Sequence, residues 1–177
     1  MKKRLCVFCG SSAGNNPLYI AMARELGTLM AQKNIGLVYG GATIGVMGAI
    51  ADSVLENGGE VIGIIPEHLE NYEIAHKGLT ELHVVADMHT RKKMMYEKSD
   101  YFLTLPGGMG TLDEMFEILT WAQLKLHHKP CYLYNFNGFY DSLLLHLNRI
   151  HEEGFMRKEH LELLTPVKSM EEIANFF

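Results

Sequence analysis

Short apolar runs alternate with longer amphipathic segments from one end of the chain to the other. The runs Leu5–Phe8, Leu37–Tyr39, Val61–Ile65, Leu82–Val85, Phe102–Leu105 and Cys131–Tyr134 each predict a buried strand. Between them the pattern predicts helices near 17–33, 46–57, 89–98, 110–127 and 138–153. Asn16-Pro17 places an N-cap and a first-turn proline at the start of the first of these. Ser169-Met170-Glu171-Glu172 fits a capping box before a short C-terminal helix. Strands and helices alternating at this spacing imply an α/β fold, a parallel sheet with helices on both faces.

Composition narrows the class. The 177 residues suit one domain spanning 1–177, with no internal repeat or linker. Hydrophobic residues make up 47% and charged residues 21%, ordinary globular usage. With 16 basic against 21 acidic side chains, the formal net charge is −5, which excludes a protein that coats nucleic acid non-specifically. Met1-Lys2-Lys3-Arg4 precedes an apolar stretch, but that stretch stops at Cys9-Gly10-Ser11-Ser12, too soon for a secretory leader. Leu5–Ala23 and Asn34–Ala51 lack charges, yet glycine clusters break both, so neither predicts a membrane span. The expectation is a cytoplasmic protein with no membrane or nucleic-acid partner.

In parallel sheets ligands lie beyond the carboxyl ends of the strands, so strand-to-helix junctions carry the search for function. The 17 glycines concentrate there. Leu105-Pro106-Gly107-Gly108-Met109-Gly110-Thr111-Leu112-Asp113-Glu114 follows a strand and opens a helix whose apolar residues include Leu112, Met115, Phe116, Leu119, Ala122 and Leu126. Glycines admit a ligand close to the backbone, and free amides at a helix start bind anions. Thr111-Leu112-Asp113-Glu114 also fits a capping box, which would give Glu114 a purely structural task. Gly40-Gly41-Ala42-Thr43-Ile44-Gly45-Val46-Met47-Gly48 is a second such turn; it matches neither a Walker sequence nor a dinucleotide fingerprint. Arg91 and Lys92 sit where a helix begins after Asp87-Met88-His89-Thr90. Cations oppose the dipole there, and either a bound phosphate or a solvated basic face with Lys93 and Lys98 accounts for them.

Cys6 and Cys9 lie three apart on a strand and so face opposite sides, unsuited to shared metal ligation or a disulfide. Cys131 stands apart, and buried thiols are expected for all three. His127-His128, His146 and His151 show no metal spacing and are expected at the surface.

The long signature at 106–114 resembles the PGGxGTxxE motif of the LONELY GUY family, cytokinin riboside 5′-monophosphate phosphoribohydrolases often mislabelled as lysine decarboxylases. The resemblance extends over nearly the whole chain, through Cys9-Gly10-Ser11-Ser12, Tyr39-Gly40-Gly41, Asp87-Met88-His89 with Arg91-Lys92, and Thr120-Trp121-Ala122-Gln123-Leu124. It implies a Rossmann-like three-layer sandwich, a homodimer, and hydrolysis of the N-glycosidic bond of an adenosine-type 5′-monophosphate to free base and ribose 5-phosphate. It places Arg91 and Glu114 on the catalytic pair. Gly108, Gly110 and Thr111 fall on the phosphate loop, with Met109 and Asp113 beside them. Glu73, Lys92, Thr120, Gly10, Ser11 and Gly41 complete the substrate-binding positions. No cofactor or metal is implied. The Glu67–Thr80 loop departs most from the plant-type pattern, and with it the preferred base substituent stays open.

Two other readings fit the same motifs. One is an AMP-directed nucleosidase without a cytokinin role; the other is a nucleotide sensor without catalysis. An intact Arg91 and Glu114 favour an enzyme, because a sensor needs the phosphate loop alone. Lysine decarboxylation needs pyridoxal phosphate on a Schiff-base lysine, and no lysine here is marked for that role.

Overall fold

The computed structural model describes residues 2–70 and 75–177. In chain order the elements are β1 (Arg4–Phe8), α1 (Leu18–Gln32), β2 (Gly36–Tyr39), α2 (Gly45–Glu56), β3 (Val61–Pro66), α3 (Glu67–Glu70), β4 (Glu81–Val85), α4 (Met88–Glu97), β5 (Tyr101–Thr104), α5 (Met109–Gln123), β6 (Cys131–Tyr134), α6 (Asp141–Glu152), α7 (Lys158–Leu161), β7 (Leu164–Val167) and α8 (Met170–Ala174). The strands form one seven-stranded sheet in the order β4-β3-β2-β1-β5-β6-β7. Every pairing is parallel. This is the α/β, Rossmann-like arrangement that the sequence leads one to expect.

Side-chain parity along β1 splits the core between the two faces. Leu5, Val7 and Cys9 pack with α1, α2 and α8 through Met22, Leu26, Ile50, Val54 and Ile173. Cys6 and Phe8 pack on the opposite face with Met95, Met115, Ile118 and Leu147 from α4, α5 and α6. Burying both faces is what makes the central strands continuously apolar. The three cysteines are buried and unbridged.

Chain direction reverses beside β1. The first three crossovers step outward to β4, and β5 then returns to the other side of β1. The topological switch point therefore lies between β1 and β5, and the crevice above it is where a ligand sits in such sheets.

Several local expectations need correction. β7 was not legible because Leu164–Val167 contains Pro166, which argues against a strand; at the sheet edge it is tolerated, opposite Leu133. The helix expected to reach 127 stops at Gln123, because Lys125 adopts a left-handed conformation (φ 61°) and the amide of Leu126 turns back to the Trp121 carbonyl. Leu126 is therefore exposed rather than on the buried face. His127, expected at the surface, is buried against Tyr96 and Phe102. Its Nδ1 accepts from the Lys129 amide, which leaves Nε2 to donate to the Ile118 carbonyl. Pro17, expected at the first helical position of α1, stands at its N-cap without a side-chain cap, while Asn16 Oδ1 accepts from Leu18 N at 3.0 Å just before it. Ser169 caps α8, accepting from Glu172 N at 3.1 Å. No helix among the described residues is long and apolar enough to cross a membrane.

Candidate active site

The loops after β1 and β5 touch at the switch point. A Cβ on Gly107 would stand 2.2 Å from Thr111 Oγ1 and 2.9 Å from Gly10 N, so a side chain at 107 would force the two loops apart. Helix α5 begins just beyond, with Gly108 at its N-cap and no side chain capping it. Among the described residues, the amides of Met109, Gly110 and Thr111 meet no protein acceptor. The positive end of a 15-residue helix is thus open to the crevice. Helix α2 differs: its amides at Val46 and Met47 donate to the carbonyls of Ser12 and Gly10 at 3.4 and 3.2 Å. Of the two glycine-rich turns, the one at 40–48 closes on the protein's own backbone, and the one at 106–111 stays available.

Arg91 reaches this crevice from α4. Asp87 caps that helix, accepting from the Thr90 amide at 2.8 Å, and this bond holds the exposed Asp87 carboxyl below its usual pKa. Arg91 is 5% exposed, which excludes the solvated-face explanation for it; Lys93, with 72% of its side chain exposed, fits that description. Arg91 Nη2 donates to the Gly40 carbonyl at 3.2 Å, and Nη1 lies 3.7 Å from Met88 Sδ. Its Nε is buried without a hydrogen-bond partner in the structure. A buried donor left unmade costs about 1–3 kcal/mol, and more when it is charged. Such a group marks a place where something else accepts.

Glu114 is half-buried on the same wall. The capping-box alternative fails on position, because α5 starts at Met109 and Glu114 is the sixth residue of the helix, too far in to reach the helix's first amides. Arg91 and Glu114 act on the same two thiols. Burial pushes the Cys9 thiol far up, Glu114 adds to the rise and Arg91 opposes it; Cys6 shows the same opposition.

A cavity of about 220 Å³ gathers Gly10, Ser11, Arg91, Gly108, Met109, Gly110, Thr111 and Glu114, with Cys9 and Met47 completing its wall. A neighbouring cavity of about 250 Å³ shares Gly10, Ser11 and Gly108 and continues past Tyr19, Val46 and Phe139. The remaining positions lie elsewhere. Gly41 is absent from the described lining; it adopts a left-handed conformation (φ 81°), a Cβ on it would meet Ile64 and Ile65, and its carbonyl accepts from the His76 amide. Lys92 turns to α5 and lies 3.1 Å from both Asp113 and Glu117. Burial opposes its charge, but those two carboxylates outweigh burial and hold its pKa above the ordinary lysine value. Thr120 is six residues beyond Glu114, its hydroxyl donating to the Phe116 carbonyl. Glu73 lies outside the described residues.

Sequence reasoning missed Cys9 and Met47 as walls of the cavity, although both stand in glycine-rich junctions already singled out. Met95 lies in the core, Met94 packs against that cluster, and Trp121 meets Tyr96 edge-on at 5.5 Å.

A family model described as "Possible lysine decarboxylase" matches residues 47–176. The Arabidopsis thaliana protein named cytokinin riboside 5′-monophosphate phosphoribohydrolase LOG1 is 48% identical over 171 residues, 97% of this chain and 80% of that protein. A protein of the same enzyme name from Rhodococcoides fascians is 48% identical over 155 residues, 87% of this chain and 78% of that one. Among solved structures, the molybdenum cofactor binding protein of Rippkaea orientalis superposes with a TM-score of 0.75 at 23% identity, covering 99% of this chain and 95% of the other. That likeness concerns the fold alone.

Proposed function

The chain belongs to the family of its curated relatives, the cytokinin riboside 5′-monophosphate phosphoribohydrolases, and from that premise we propose that it hydrolyses adenine-type riboside 5′-monophosphates through Arg91 and Glu114. The products are the free base and ribose 5-phosphate. The observation that carries the site assignment is that Arg91, a buried cation whose Nε has no partner, lines one cavity with the open start of α5 and Glu114.

The amides of Met109–Thr111 take the 5′-phosphate, and the Arg91 guanidinium, in the wall of the same cavity, supplies positive charge to the same phosphoribosyl group. As the C1′–N bond lengthens, its electron pair leaves with the base and positive charge builds on the ribose ring. Glu114 stabilises that charge and accepts a proton from water, whose oxygen bonds to C1′. The departing base takes up a proton from solvent and Glu114 gives its own back to solvent, so that one water is added across the bond. Lysine decarboxylation, the reaction in the family model's description, needs a Schiff-base lysine, and the described residues lining this cavity include none.

The test incubates the protein with N6-isopentenyl-AMP, AMP and the matching nucleosides and separates free base by chromatography. Release from a 5′-monophosphate, with kcat/KM for its nucleoside lower by about 100-fold or more, is expected, since the phosphate's binding energy is used to place the bond for cleavage. Equal values for nucleotide and nucleoside would overturn the phosphate-loop assignment. Hydrolysis of AMP alone would establish the AMP-directed nucleosidase instead. The reading includes a cytoplasmic homodimer, supported by the exposed apolar residues Phe116, Leu124 and Leu126 on and after α5. A monomer in sedimentation at micromolar concentration would count against it.

A further inference from the structure

Arg91 is held in a fixed pose by a residue that contributes no side chain. The geometry points to Gly40 as a positioning residue that sets the location of the Arg91 guanidinium, an inference that rests on the reading of Arg91 above. Gly40 follows the last residue of β2, and its carbonyl accepts from Arg91 Nη2 at 3.2 Å across 51 residues of sequence. The same residue leaves the space the guanidinium fills. A Cβ at Gly40 would stand 2.0 Å from Arg91 Nη2, 3.2 Å from its Cζ and 2.9 Å from Met47 Sδ.

Backbone strain is not the reason for glycine here. Gly40 does not have a positive φ, unlike its neighbour Gly41, so an alanine meets no conformational penalty of the left-handed kind. What it meets is the head of Arg91. Ordinary contact with a Cβ begins at 3.4 Å, so the nitrogen would have to retreat by more than an ångström. The same Cβ would also crowd Met47 Sδ, and Met88 Sδ lies against Nη1. The Gly40 carbonyl at Nη2 and the Met88 thioether at Nη1 thus hold the charged head on two sides. A guanidinium placed before the ligand arrives has no reorganisation to undergo as charge develops.

The experiment compares wild type, Gly40→Ala, Arg91→Lys and the double variant, measuring kcat and KM for AMP or N6-isopentenyl-AMP together with thermal unfolding. Displacing a positioned group by about 1 Å costs about 100-fold. Gly40→Ala is therefore expected to lose about 100-fold in kcat/KM, chiefly in kcat, while melting within a few degrees of wild type. In the Arg91→Lys background the planar head is gone, and Gly40→Ala should change kcat/KM by less than about threefold. Wild-type kinetics in Gly40→Ala, or an equal loss in both backgrounds, would overturn the inference. Should Gly40→Ala fail to fold, the same substitution in Arg91→Ala decides: restored folding supports Arg91 as the colliding group, and continued failure rejects it. Absence of hydrolysis by the wild-type protein counts against the proposed reaction instead. AMP affinity by calorimetry across the same variants then carries the positioning test, with the same non-additivity expected.

Discussion

Tyr140 donates its hydroxyl proton to the carbonyl of Leu105 across 2.7 Å, tying the start of α6 to the residue just before the Pro106–Gly108 loop. The ring is itself held in place, since the Tyr140 amide donates to Asn135 Oδ1 at 2.8 Å and Asn135 Nδ2 donates to Asp141 at 2.7 Å. Burial pushes the Tyr140 hydroxyl far above its usual pKa, so it stays a donor throughout the working pH range. Tyr140→Phe leaves the Leu105 carbonyl without this partner. The expected cost is about 1–3 kcal/mol, seen as a lower urea midpoint, together with a higher KM for the 5′-monophosphate as the loop loosens. An unchanged KM would separate this bond from the site.

Glu114 sits six residues into α5, beyond any capping role, on a wall of the cavity that holds Arg91. Glu114→Gln keeps the size and removes the charge. Turnover should fall by about 10²–10³-fold, the scale of losing one electrostatic stabiliser. The melting temperature and nucleotide affinity should move little. Turnover near wild type would sink the catalytic assignment.

Lys92 bridges α4 and α5 through Asp113 and Glu117, with 11% of its side chain exposed. Lys92→Met keeps the stem and leaves both carboxylates without their cation. Because Asp113 is largely exposed, water screens part of the loss, and about 1 kcal/mol is expected. For a chain of this size that is a fall of about 2–4 °C in melting temperature. If Lys92 instead serves the phosphate alone, KM rises and the melting temperature stays put.

The buried thiols give the protein an alkaline limit. Burial pushes Cys131 from 9.0 up to about 12 and drives Cys6 and Cys9 up as well. Their folded pKa values are raised above the unfolded ones, so the stability they contribute is complete below pH 9. Above it the unfolded chain sheds protons that the folded one keeps. Stability should then decline by about 1.4 kcal/mol per pH unit for each thiol. Urea midpoints at pH 8, 9 and 10 measure the slope, and Cys131→Ala should reduce it. A flat profile to pH 10 would contradict the burial effect.

The strand runs, the alternation with helices and the glycine junction at 106–111 were legible in the sequence because burial and backbone freedom are properties of each residue and its near neighbours. Leu5, Val7 and Cys9 against Cys6 and Phe8 already encode two buried faces, and Pro106-Gly107-Gly108 already marks a close approach. Partnership is not encoded that way. Nothing local says that β5 returns to lie beside β1, that Gly10 and Gly107 touch, that Arg91 is buried under Gly40 while Lys92, one residue on, turns to Asp113 and Glu117, or that a proline-bearing segment completes the sheet edge. Adjacent helical residues point about 100° apart, so two neighbouring cations meet different surroundings. Which surroundings those are depends on elements 20 to 50 residues away, brought together only when the chain packs.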